Sequence, residues 1–143
     1  MRALLDVNVL VALLDAMHVH HRIATDWLAS HLQLGWASCP STQNGCIRVF
    51  SLSAYRNSHS PADVALRLGE AVAGSDHEFW PDSVSLLDAG RARWDHVLTS
   101  RQVTDAYLLA LAVSHGARLV TLDRGIGVKA IAGAQTKHLL TLA

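Results

Sequence analysis

Three aspartates stand where chemistry is most easily done. Asp6 interrupts an apolar run, Ala3-Leu4-Leu5-Asp6-Val7-Asn8-Val9-Leu10. Asp123 follows a second such run, Leu119-Val120-Thr121-Leu122, and Asp105 falls in the first turn of the apolar stretch Thr104–His115. A carboxylate beside a core is costly to desolvate unless cations or hydrogen-bond donors receive it. Three in one cleft repel one another and raise at least one pKa. No lysine or arginine is placed by sequence to neutralise all three. A hard divalent cation with oxygen ligands would do so, and magnesium leaves coordination positions for water and phosphate oxygens. The chemistry that follows is phosphodiester hydrolysis. The plainer alternative is three separate residues at caps and turns, Asp105 being favoured there by the helix dipole alone.

The elements that must bring these acids together alternate along the chain. The first apolar run is expected to be a buried strand ending near Asp6, followed by a short helix over 9–14. Helices are expected over 22–33 and 40–53, with a brief strand at 36–38 between them. Ser60-Pro61-Ala62-Asp63 is a strong helix start: a cap, a proline in the first turn, then an acid. A strand over 77–80, a helix over 85–94, the apolar helix 104–115, a strand over 118–122 and an edge strand within 137–142 complete the pattern. Strands alternating with helices predict a three-layer α/β/α sandwich around a central, mostly parallel sheet. In such a sheet strand C-termini and helix N-termini share one edge, where ligands bind. All three aspartates are then expected at that edge.

The bulk properties narrow the classes. A chain of 143 residues, half of them hydrophobic, suits one domain, residues 1–143, with a real core. Twelve basic and twelve acidic residues balance, so strong nonspecific binding to a polyanion is not expected from net charge. No apolar run reaches the length of a membrane span. Met1-Arg2-Ala3 leads straight into the first strand, so a signal peptide is not expected and a cytoplasmic location is. Cys39 and Cys46, if both helical, lie roughly 10 Å apart, too far for a disulfide; two free, buried thiols are expected.

The order and spacing of several segments resemble the PIN-domain ribonucleases, specifically the VapC-type toxins of bacterial toxin–antitoxin pairs. They are Leu4 to Leu10, Ser41-Thr42-Gln43-Asn44-Gly45-Cys46-Ile47-Arg48-Val49, His77 to Asp82, Val103 to Leu109, and Leu119 to Asp123. The resemblance spans nearly the whole chain. It implies a compact α/β/α fold, magnesium- or manganese-dependent endoribonuclease activity, an RNA substrate, a cognate antitoxin and a homodimer. It places the first acid on Asp6, the polar residue two places on at Asn8, and the C-terminal acids on Asp105 and Asp123. The acid of the central helix falls on position 43, which is glutamine here. Gln43, Ile47 and Phe50 share a helix face directed towards the sheet edge. Glutamine brings an oxygen but no charge, so metal affinity should fall, and it cannot be a general base. Three readings follow: a slower one-metal nuclease, an enzyme using another acid, or a nuclease fold that only binds protein or RNA. The three remaining acids favour the first.

Other residues carry weaker signals. Thr104 either caps its helix or holds a metal-bound water. Asn44 and Arg48, four apart, form a structural pair or line an RNA path, the former being favoured. Arg101 and Arg124, each next to the acidic edge in sequence, are the best phosphate-binding candidates among the arginines. His18, His20 and His21 match no structural zinc spacing and read as loop and helix-start residues. Gly45, inside a helix, implies close backbone approach.

Overall fold

The computed structural model describes residues 1–143. Five strands form one sheet: β1 (Ala3–Leu5), β2 (Trp36–Ser38), β3 (His77–Phe79), β4 (Arg118–Thr121) and β5 (Leu139–Thr141). They lie in the order β3-β2-β1-β4-β5, and every pair is parallel. Five α-helices cover it: α1 (Val7–Leu14), α2 (His21–His31), α3 (Pro40–Phe50), α4 (Pro61–Val72) and α5 (Arg101–Ser114).

The pleat divides the apolar residues of each strand between two cores. Leu4 and Leu119 face the layer built by α5, with Leu108, Leu109 and Leu111. Leu5 and Val120 face α1, α3 and α4, with Val9, Leu10, Phe50, Val64 and Leu68. This is the expected three-layer sandwich. Cys39 and Cys46 are free and buried and belong to opposite cores, so the sheet itself keeps them apart.

The chain winds outward from β1 to β2 and β3, then crosses through α5 to β4 on the other side of β1. The strand order therefore reverses between β1 and β4, the switch point where open α/β sheets bind ligands. Asp6 follows one of these strands and Asp123 comes two residues after the other.

Some expectations shift. The run from Ala3 to Leu10 ends its strand before Asp6 as expected, but its helix starts at Val7 rather than at position 9. It is three strand residues, a cap and the first turn of α1; apolar content alone does not separate a buried strand from a buried helix. No helix spans 85–94. The Ser85 hydroxyl accepts from the Leu87 amide, and Gly90 has φ 75°, so local side-chain bonding and a left-handed turn compete successfully with the helix. The apolar helix α5 starts at Arg101, one turn before Thr104. Ser60 caps α4 as expected, its hydroxyl accepting from the Asp63 amide at 3.1 Å. No helix is long and apolar enough to cross a membrane.

Candidate active site

The site begins with a cap. Asp6 directly follows β1 and is the N-cap of α1, its Oδ1 accepting from the Val7 amide at 2.7 Å. The helix N-terminus favours a negative charge there. Its other oxygen, Oδ2, accepts from the Thr121 hydroxyl at 2.7 Å. Thr121 Oγ1 in turn accepts from the Asp123 amide at 3.0 Å and from Asn8 Nδ2 at 3.4 Å. Asn8 Oδ1 accepts from the Leu122 amide at 3.1 Å. One buried hydroxyl thus uses its donor and both acceptor positions to tie the end of β1 to the end of β4.

Asp123 forms a turn after β4, its Oδ1 accepting from the Gly125 amide at 2.9 Å. Gln102 braces this turn from α5: its Nε2 donates to the Gly125 carbonyl, while its Oε1 accepts from the Leu98 and Thr99 amides. Asp105 sits on the second turn of α5, not the first, and is 9% exposed. It lines a cleft of about 590 Å³ with Asp6, Asn8, Thr104, Asn44, Arg48 and His18. It also lines a smaller hollow with Asp123, Arg101 and Gln102. Asp105 is therefore the carboxylate common to both sides.

The electrostatics follow from this crowding. Burial, then the charges of Asp6 and Asp123, push Asp105 up to about 7, against the opposing pull of Arg101. Burial also raises Asp6; the Thr121 and Val7 hydrogen bonds oppose it, and Asp123 adds to it. Two carboxyls with raised pKa and a third acting on both form a site short of positive charge. No three acidic, histidine or cysteine side chains close directly around one point, so the acids are near neighbours without being a three-ligand cage. Magnesium is usually held by one or two carboxylates plus waters, and the donor set here, all hard oxygen, fits that mode.

Several residues lie elsewhere than expected. Gln43 faces the sheet edge, but its Nε2 donates to Ser38 Oγ at 3.0 Å, and Ser38 Oγ lies 2.7 Å from His77 Nε2. Gln43 does not line the cleft of Asp6 and Asp105. Thr104 is not a cap, because α5 begins three residues before it; its side chain lines the cleft. Arg124 turns away, its guanidinium donating to the Ala143 carbonyl; Arg101 is the arginine beside the acids. Asn44 and Arg48 are no structural pair: both are exposed and both line the cleft. Gly45 does mark a close approach, since a Cβ there would lie 2.5 Å from Val7 Cγ2. Thr121 is the residue that sequence reasoning missed. Its signal was a hydroxyl inside a buried strand, two places before an acid, where only a specific partner makes burial tolerable.

A doubly wound parallel sheet with neighbouring carboxylates at its switch point defines the class: an α/β protein with an acidic cleft at its ligand-binding edge. The PIN domain family matches residues 3–132. Ribonuclease VapC44 of Mycobacterium tuberculosis is 49% identical over 142 residues, covering 99% of this chain and all of the relative. Ribonuclease VapC39 of the same organism is 42% identical over 134 residues, covering 93% of this chain and 96% of the relative. The chain belongs to the PIN-domain family and, within it, to the VapC-type ribonucleases. Two crystal structures share its fold. VapC20 of Mycobacterium tuberculosis, a Sarcin-Ricin loop cleaving toxin, has a TM-score of 0.59 at 12% identity, covering 81% of this chain and 85% of its own. VapBC2 from Rickettsia felis, bound to a DNA fragment from its promoter, has a TM-score of 0.62 at 15% identity, covering 88% and 96%.

Proposed function

We propose that this chain is an endoribonuclease toxin of a toxin–antitoxin pair, hydrolysing RNA phosphodiester bonds with magnesium or manganese. The observation that carries the site assignment is the position of Asp105, which borders Asp6 on one side and Asp123 on the other. Asp6, Asp105 and Asp123 would hold the cation. When bound, it supplies charge stabilisation and activation of water. The chain's own residues do the positioning. Thr121 and the α1 N-terminus fix both oxygens of Asp6. Asn8 holds the backbone at Leu122 and so orients the approach to Asp123. Thr104, free of any capping duty, lines the cleft and would hold a water there. Arg101 opposes the raised pKa of Asp105 and would take a phosphate oxygen.

Full-length similarity to proteins named Ribonuclease VapC supports the activity, and the VapBC2 complex among the structures of like fold supports a VapB-type antitoxin as partner. A homodimer and a cytoplasmic location complete the reading. Gln43 favours a second possibility, a fold that binds protein or RNA but cuts slowly or not at all, because the central-helix acid is missing. The deciding experiment is cleavage of RNA by purified protein with and without Mg²⁺ or Mn²⁺, wild type against Asp6→Asn, together with growth on induction. Cation-dependent cleavage and growth arrest, both lost in Asp6→Asn, support the nuclease. Equal behaviour of the two proteins sinks it.

A further inference from the structure

The cleft has two ends of different chemistry. Asp6, Asp105 and Thr104 form one. Along α3, Ser41, Asn44 and Arg48 project into the same cleft, and seven helical residues carry Arg48 roughly 10 Å beyond Ser41. Asp123 acts on both Asp6 and Asp105, and Arg101 on Asp105; Arg48 is not among the charges acting on them. Its guanidinium makes no hydrogen bond or ion pair within the chain and is exposed.

The part of the cleft lined by His18 and Tyr55 is braced. Asp15 accepts from the Tyr55 hydroxyl, from Asn57 Nδ2 at 2.7 Å and from the Met17 amide at 3.0 Å. Its charge is thereby engaged within the loop rather than directed at Arg48. The same bonds lock the segment bearing His18 against the one bearing Tyr55. His18 Nδ1 accepts from the His20 amide at 3.0 Å, which leaves Nε2 carrying the proton of the neutral ring. The cleft wall thus offers a fixed neutral donor, an amide and an unpaired guanidinium. The volume, about 590 Å³, is in the range that encloses a ligand of nucleotide size.

We propose that Arg48, Asn44 and His18 form a subsite for the nucleotide next to the scissile bond, Arg48 taking its phosphate and Asn44 and His18 its base. This rests on the ribonuclease reading above. Guanidinium suits bidentate phosphate recognition, and single-stranded RNA is read through exposed base edges.

The test uses the full chain carrying Asp6→Asn, so that RNA is bound and not cut. Labelled single-stranded RNA oligonucleotides, differing only in one base, are titrated in Mg²⁺ at several salt concentrations. Adding Arg48→Ala should weaken binding about tenfold and reduce the salt slope by about 0.7, the value for one phosphate contact on a single strand. Arg48→Lys should keep the slope and lose part of the affinity. His18→Ala and Asn44→Ala should flatten the base preference while leaving the slope unchanged. RNA affinity and salt slope unaltered by Arg48→Ala overturn the proposal, as does loss confined to binding a protein partner. Failure of the Asp6→Asn chain to bind RNA overturns it too. Failure of the wild type to cleave removes the nuclease reading and with it the link to a scissile bond, while the titrations still decide whether Arg48, Asn44 and His18 bind a nucleotide.

Discussion

The hydroxyl of Thr121 sits between two acids, donating to Asp6 Oδ2 at 2.7 Å and accepting from the Asp123 amide at 3.0 Å. Thr121 is 1% exposed, so nothing but these partners satisfies it. Thr121→Val keeps the shape and leaves a buried carboxylate oxygen and an amide unpaired. It should cost about 1–3 kcal/mol of stability and reduce cleavage beyond what the lost stability explains. Thr121→Ser should restore most of both. Denaturant unfolding and a cleavage assay on the same samples separate the two effects.

Asp6→Asn should preserve the fold, because asparagine caps helices as well as aspartate does. It removes the charge proposed to serve the cation. A metal contribution of several kcal/mol corresponds to a loss of cleavage of about 10²-fold or more. Circular dichroism unchanged with cleavage retained would contradict the role given to Asp6.

Asp105 ties stability to pH. Its folded-state pKa, about 7, lies above the unbound carboxyl value of 3.8, so between these values the folded chain binds more protons than the unfolded one. In the absence of divalent cation, stability should therefore fall as pH rises from about 4 to about 7 and level off above that. Asp105→Asn should flatten this slope. Mg²⁺ or Mn²⁺ should raise the melting temperature more at pH 8 than at pH 5, because protons compete for the same oxygens. Thermal unfolding across pH, with and without cation, checks both signs.

Gln43→Glu puts a charge at the sheet edge beside Ser38. It should tighten cation binding and raise cleavage on the order of tenfold, the scale of one metal-orienting contact. Calorimetric titration with Mn²⁺ measures the first and an RNA cleavage rate the second. An unchanged rate would mean that position 43, bonded to Ser38 Oγ and outside the cleft, has no part in the chemistry of this chain.

Gly45→Ala sets a methyl 2.5 Å from Val7 Cγ2. Val7 is the first residue of α1, next to Asp6, so α3 and the start of α1 must separate. Overpacking of this kind costs about 1–3 kcal/mol. Cleavage should fall more steeply than stability, because the displaced residue adjoins the acid. Parallel unfolding and activity measurements test that order.

The sequence alone determined the layered architecture, the parallel sheet and the three acids at its ligand-binding edge. Buried strands write themselves as short apolar runs, and helix starts such as Ser60-Pro61 carry their own local chemistry. Competing local signals and long-range partners escaped it. Residues 85–94 have helical composition, yet the Ser85 turn and the left-handed Gly90 win over it. Only the tertiary structure decided that Thr121, 115 residues from Asp6, is the hydroxyl that holds it, that Arg124 points to Ala143 while Arg101 stays by the acids, and that Gln43 faces Ser38. The reason is physical: apolar pattern and capping act over a few residues, whereas a hydrogen-bond partner is chosen by whatever the finished fold brings within about 3 Å.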